Sequence, residues 1–280
     1  MASPDLEALA QEHHIIGRRP ELRAMLACVS AGRNVLLEGP VGVGKTVIAR
    51  AVAVALNRGM VRVDGDGRYT EAKLVGHFDP PTVLASGYTR DAFVPGPLIE
   101  AMLAGGVLFI NELNRMPEGV QNVLLPALDE GTVHVPHLGT VKAAPGFGVI
   151  ATQNPAEFVA TGHLSEALLD RFELVRLAYQ GAAEEAEIVR KEAKLSPSEQ
   201  VISASVAMAR ATREDPRIRR GASVRAAVAI ADLAMALDGD VAQASLLALP
   251  TRIELADGRE TPVEDVLKDL QKKSLSPGPR

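Results

Sequence analysis

One stretch restricts this chain more than any other: Gly39-Pro40-Val41-Gly42-Val43-Gly44-Lys45-Thr46 fits G-x4-G-K-[ST] in full. An apolar run, Val35–Leu37, precedes it, and an Ala-rich helical pattern from Val47 to Leu56 follows. The motif needs that context. The strand delivers the chain to the loop, glycines let backbone N–H groups turn inward around phosphates, and the helix N-terminus adds partial positive charge. Lys45 is then expected to reach the β- and γ-phosphates, and the Thr46 hydroxyl to ligate Mg²⁺. The alternative, a Gly-rich strand–helix turn without a ligand, leaves the Lys-Thr pair without a purpose.

The remaining pattern extends that single βα unit into a layered domain. From Asn34 to Leu177, short aliphatic runs alternate with helical patterns: Val35–Leu37, Met60–Val63, Val107–Ile110, Phe147–Ala151 and Leu174–Leu177. Three are apolar almost throughout, as strands buried on both faces must be. This reads as α/β, a doubly wound parallel sheet over 1–178. After Tyr179-Gln180-Gly181 the texture becomes Ala-rich and charged without strand runs, which reads as a small all-α domain over 179–272. Its expected helices include Ala183–Lys194, Pro197–Arg213 and Ser223–Leu237. A hairpin-like stretch at Arg252–Gly258 carries an Asp-Gly turn signal, and a short helix is expected from Val263. A Ser/Pro/Gly-rich tail, 273–280, is expected to be disordered.

A second strand bears on the same chemistry. Val107–Ile110 ends in Asn111-Glu112. In nucleotide hydrolases with such loops, an acidic residue at this strand end helps hold Mg²⁺ through its hydration shell, and a following carboxylate orients the attacking water. Glu112 suits the second role. Asn111, assigned to the metal, can accept a hydrogen bond from that shell but brings no charge. Two readings follow: weaker Mg²⁺ binding with slow turnover, or a metal for which Thr46, phosphate oxygens and water suffice.

Composition limits the partners. Net charge is −5, so a broad nucleic-acid surface is not expected. One cysteine, Cys28, excludes an internal disulfide, and neither a signal-peptide pattern nor a spanning apolar run is present. A soluble cytoplasmic protein is the expectation. The Arg cluster at 210, 213, 217, 219 and 220 could suggest DNA, but Glu214 and Asp215 interrupt it, and a solvated or subunit-contact face is the simpler reading. His134 and His137 form H-x2-H, yet on a strand that spacing sends the rings to opposite faces and no third ligand is evident.

The order of motifs resembles the AAA+ ATPases, and more narrowly the MoxR family, over roughly Ile16 to Ala229. Ile15-Ile16-Gly17-Arg18 is similar to the family's segment that contacts adenine, which implicates Ile16 and Gly17. Phe109-Ile110-Asn111-Glu112-Leu113-Asn114-Arg115 resembles its Walker B strand, departing where Asp is usual. Ala151-Thr152-Gln153-Asn154-Pro155 resembles the sensor 1 strand end, with Asn154 as the sensor. Leu168-Leu169-Asp170-Arg171-Phe172 resembles the segment whose Arg serves a neighbouring subunit. Gly221-Ala222-Ser223-Val224-Arg225 resembles the sensor 2 motif, with Val224 in place of Pro and Arg225 as the sensor.

The resemblance implies an ATP hydrolase with Mg²⁺, a ring (in the family, a hexamer), a pre-sensor hairpin within Asp129–Phe147, and a long client-facing insert at Tyr69–Pro97. It also implies a client protein, a metalloenzyme in some branches, and a partner carrying a von Willebrand factor A domain. Asp64-Gly65-Asp66-Gly67-Arg68 and the Asn111 strand look closest to the CoxD-like group tied to carbon monoxide dehydrogenase maturation. Plainer roles stay open: Asn154 could cap a turn, and Arg225 could pair on a solvated helix face. Two other classes compete, a nucleotide-binding partner switch with little hydrolysis and a DNA-dependent AAA+ protein.

Overall fold

A computed structural model describes residues 5–154, 164–256 and 262–275. Five strands carry the architecture: β1 (Asn34–Glu38), β2 (Met60–Asp64), β3 (Val107–Asn111), β4 (Gly148–Gln153) and β5 (Phe172–Arg176). They form one parallel sheet in the order β2-β3-β4-β1-β5. Each apolar run of the sequence is therefore a strand of this sheet. Leu36, Leu37, Leu108, Phe109 and Ile110 are essentially inaccessible, as central parallel strands require.

Helix α1 (Arg19–Ser30) packs on β1 and β5, α2 (Lys45–Ala55) follows the phosphate loop, and α3 (Pro97–Ala104) packs on β2 and β3. In α2, Ile48, Ala49, Ala51, Val52 and Ala53 are buried while Val47, Arg50 and Val54 face water. That is the amphipathic stripe expected of a helix on a sheet.

The chain divides into two compact units: one running through Leu177 without Pro40–Val43, the other from Ala178 onward with Pro40–Val43. The second contains α4 (Ala182–Glu192), α5 (Glu199–Glu214), α6 (Val224–Ala236), α7 (Val241–Ala248) and α8 (Val263–Ser274). Helix α5 packs against α4, α6 and α8. Ala226, Ala227, Ala231 and Ala234 are fully buried, so small side chains let α6 approach its neighbours closely.

The structure adds detail at three places. The Tyr69–Pro97 insert is ordered: Gly76–Phe78 pairs antiparallel with Phe93–Pro95, and Pro80–Ser86 between them is a helix capped by Asp79. Proline at the first helical turn is compatible because its missing N–H has no helical partner there anyway. Phe78 packs edge-on against Tyr88 and Phe93, and Phe78 and Phe93 are half-buried against the core of the sheet unit. At the other end, Glu254–Leu255 pairs antiparallel with Ile218–Arg220 and closes no local hairpin among the described residues; the Asp257-Gly258 turn lies outside them. Of the tail, Lys273 and Ser274 end α8, whereas 276–280 lie outside the described residues. No helix of the described residues is long and apolar enough to cross a membrane.

Candidate nucleotide site

Parallel pairing in the order β3-β4-β1 sets three carboxyl ends side by side: β1, which enters the phosphate loop, β3, which ends at Asn111, and β4, which leads to Asn154. Open α/β sheets bind ligands at that edge.

The loop's backbone is shaped for close approach. A Cβ on Gly39 would sit 2.2 Å from the Leu177 carbonyl oxygen, so only glycine fits. Gly44, the residue capping α2, has φ 93°, which L side chains rarely adopt. Between them Pro40, Val41, Gly42 and Val43 form the turn, with Val41 exposed and Val43 buried. Lys45 opens α2, and its Nζ donates to the Gly39 carbonyl at 2.6 Å, folding the ammonium back across the loop. Thr46 follows as the next helical residue. Glycines at positions a side chain would block, a helix N-terminus, an ammonium and a hydroxyl fit a nucleotide phosphate with its Mg²⁺.

Asn111 and Glu112 sit in a polar chain reaching three strands. Asn111 Nδ2 donates to Asp64 Oδ1 at 3.0 Å, and its Oδ1 accepts from Thr152 Oγ1 at 3.1 Å. The Glu112 N–H donates to the same Thr152 oxygen at 2.9 Å. Glu112 adopts the left-handed region, φ 58° and ψ 53°, turning its side chain off the strand. Its carboxylate is paired with Arg115 at 2.7 Å. Gly65 donates its N–H to the Asn111 carbonyl at 2.7 Å and carries no Cβ, which would otherwise lie 2.1 Å from the Glu112 oxygen. Arg62 holds the Asp64 carboxyl below its ordinary range, with a smaller contribution from Asn111.

The other expected residues lie as follows. Asn154 is buried directly after β4; Pro155 lies outside the described residues. Ile16 is buried and Gly17 has φ 65°, both just before α1. Arg171 is different. It immediately precedes β5, and Phe172 pairs with Asn34 at the start of β1. Arg171 therefore stands at the amino end of the sheet, while its own phosphate loop leaves the carboxyl end. Five residues of β1 separate the two ends, about 16 Å of strand.

In the second unit, Arg225 is exposed on the first turn of α6. The turn before it is tightly built. A Cβ on Gly221 would meet the Arg213 Cα at 2.7 Å. Arg213 Nε donates to the Ala222 carbonyl at 2.6 Å, and the Ala222 N–H donates to Thr212 Oγ1. The Arg cluster finds acidic partners: Arg210 and Arg213 with Glu185, Arg217 with Asp215 and Asp269, Arg219 and Arg220 with Glu254. His137 stacks on Tyr88 with ring centroids 4.1 Å apart.

Comparison with known proteins bears on this geometry. The model of the AAA domain, dynein-related subfamily, matches residues 34–172, from β1 to the start of β5. An uncharacterized protein of Staphylococcus haemolyticus is 30% identical over 212 residues, covering 74% of this chain and 80% of that protein. This chain belongs to the AAA family. Gas vesicle ATPase GvpN2 of Halobacterium salinarum is 33% identical over 226 residues, 75% of this AAA chain and 64% of GvpN2. A RuvB variant of Thermotoga maritima superposes with a TM-score of 0.55 at 18% identity, covering 98% of this chain and 73% of RuvB. That last likeness is one of AAA fold alone.

Asp64, Gly65 and Thr152 are members of the site that sequence reading missed. The acidic, Gly-rich stretch from Asp64 was visible, but its register against Asn111 was not.

Proposed function

We propose that this chain is an ATP hydrolase whose active site is completed by a neighbouring copy, and which uses turnover to remodel a client protein. The position of Arg171 carries the reading. At the sheet end opposite its own phosphate loop, it is remote from its own nucleotide, but a head-to-tail neighbour can receive it, and head-to-tail contacts close into rings. An arginine supplied in this way contributes roughly 10³–10⁵ in rate where the effect has been isolated.

Each residue has a defined task. Lys45 and the loop N–H groups hold the β- and γ-phosphates, and Thr46 with Asn111 would hold Mg²⁺. Bound there, the ion would neutralise phosphate charge. Glu112 orients and deprotonates the attacking water once its carboxylate leaves Arg115. Asn154 senses the γ-phosphate, and Arg225 links nucleotide state to its helix. Remodelling of a protein, with a von Willebrand factor A domain partner and a metalloenzyme client, rests on the MoxR resemblance of the motifs. One relative, GvpN2, is a gas vesicle ATPase. Arginines paired with acids argue against a DNA-driven machine.

The test is complementation. Arg171→Ala keeps ATP binding and loses hydrolysis, and Glu112→Gln does the same. Mixing the two recovers activity, because roughly a quarter of randomly formed interfaces contain one intact site. Full activity of Arg171→Ala alone, or no recovery on mixing, removes the shared-site reading. Asn111 favours a second reading, a nucleotide-gated partner switch; ATP binding without Mg²⁺-dependent phosphate release, even with a partner present, would select it.

A further inference from the structure

The absence of charge at Asn111 looks like a loss only when that strand is taken alone. Strands β2 and β3 are parallel with Asp64 directly opposite Asn111, so the two side chains share one face of the sheet. A carboxylate only accepts hydrogen bonds. The 3.0 Å contact with Asp64 therefore fixes the Asn111 amide with its NH₂ toward β2 and its carbonyl oxygen toward β4. On that side lies Thr152, fully buried, on the strand that runs beside β1 and its phosphate loop.

The polarity of the whole chain follows. The Glu112 N–H donates to Thr152, the Thr152 hydroxyl donates to Asn111, and the Asn111 amide donates to Asp64, which also accepts from Arg62 at 2.7 Å. Every donor points toward Asp64. Such a chain polarises cooperatively, so electron density rises on the Asn111 carbonyl oxygen. Arg62 opposes part of this charge, and because its side chain is 44% exposed and that of Asp64 59%, water screens both members of the pair.

We propose that Asp64 is the displaced acidic residue of the metal side: a positioning residue that aims the Asn111 carbonyl at the phosphate edge and lends it negative charge from the neighbouring strand. The inference rests on the ATP-hydrolase reading and deepens it. It replaces the question of why an acid is missing with the statement that it has moved one strand outward.

Charge-swap variants test this through binding. A fluorescent ATP analogue is titrated against the full chain at increasing Mg²⁺, and the Mg²⁺ concentration giving half-maximal binding is compared. Asp64→Asn should raise it roughly three- to tenfold, the order expected of one partly exposed charge that water screens. Asp64→Glu should leave it near the wild-type value. The double variant Asp64→Asn with Asn111→Asp should restore it to within about twofold, because the charge returns to β3. Thermal melting without nucleotide separates a folding defect from the metal effect. An unchanged midpoint in Asp64→Asn overturns the proposal. So does a double variant that melts like wild type yet keeps the Asp64→Asn midpoint, or a loss in Asp64→Glu equal to that in Asp64→Asn. A wild-type chain that binds no nucleotide at any Mg²⁺ concentration would instead overturn the ATP-hydrolase reading beneath it.

Discussion

Arg171 is held within its own subunit by Asp129: Nη2 lies 2.5 Å from Asp129 Oδ2, while Nη1 donates to the Ala167 carbonyl. Asp129 ends the helix Leu124–Asp129 that precedes the hairpin Thr132–Val135/Gly139–Lys142. The proposed trans-acting arginine is therefore tied to the helix that leads into that hairpin. A guanidinium with a fixed fork presents its remaining face without first losing rotamer freedom.

Asp129→Ala should lower ATP turnover about three- to tenfold, the usual cost of ordering one long side chain. ATP affinity should be unchanged, since Asp129 lies at the Arg171 end of the sheet. Steady-state rates alongside equilibrium nucleotide binding check this. A rise in turnover would show that Asp129 restrains Arg171.

The second unit depends on an ion pair with almost no access to water. Glu185 is 1% exposed and meets Arg213 at 2.6 Å, with Arg210 farther away at 3.6 Å. Arg213 also lies over the Tyr179 ring, 3.9 Å from its centroid. Arg213→Met should destabilise by about 3–5 kcal/mol, because it strands a buried carboxylate. Combining it with Glu185→Leu should recover much of that loss. Urea unfolding measures both. Because Arg213 also holds the Ala222 carbonyl, the single variant should disturb the turn leading to Arg225 as well.

Acid sensitivity has an identifiable source in the same unit. Arg217 grips Asp215 through Nε at 2.9 Å and Nη2 at 2.8 Å, which holds this carboxyl below the ordinary range. A depressed folded value means the unfolded chain binds the proton more tightly. The stabilisation is full above the unfolded carboxyl value near pH 4, and it fades as pH falls through the lower folded value. Asp215→Asn should melt lower at neutral pH and lose less on acidification than wild type. Parallel slopes for the two would assign the acid sensitivity to other groups.

What the sequence disclosed depended on how local each requirement was. The phosphate loop was legible because its glycines, lysine, flanking strand and helix are contiguous and each has a local physical reason. The five strands were legible because burial on both faces leaves continuous apolar runs. The Asp64–Asn111 contact was not, since it joins residues 47 apart and depends on strand register. The role proposed for Arg171 could be taken only from the order of family motifs, and its place at the amino end of the sheet depends on strand pairing. Glu254–Leu255 looked like half of a local hairpin because turn residues follow it, but its pairing with Ile218–Arg220 is long-range. The insert looked irregular because its strands are three residues each and its order comes from an aromatic cluster.

Two glycines of one loop, Gly65 and Gly67, should respond differently to the same change. At Gly65 an added Cβ would lie 2.1 Å from the Glu112 carbonyl oxygen and 3.1 Å from that of Asn111; at Gly67 it would meet nothing within 4 Å. Both positions precede the Tyr69–Pro97 insert, so an effect on the loop as a whole would act alike at either. Gly65→Ala must push β2 away from the turn that holds Glu112 in its left-handed conformation. Overpacking of that kind costs about 1–3 kcal/mol, and it displaces the carboxylate proposed to act as general base. Turnover should fall about tenfold or more, part of the roughly 10²–10⁴-fold that a positioned general base contributes. ATP binding should persist, because the phosphate loop is untouched, and Gly67→Ala should behave as wild type in both assays. Equal losses at the two glycines would mean that loop mobility, rather than the close approach of Gly65 to Glu112, is what the site requires.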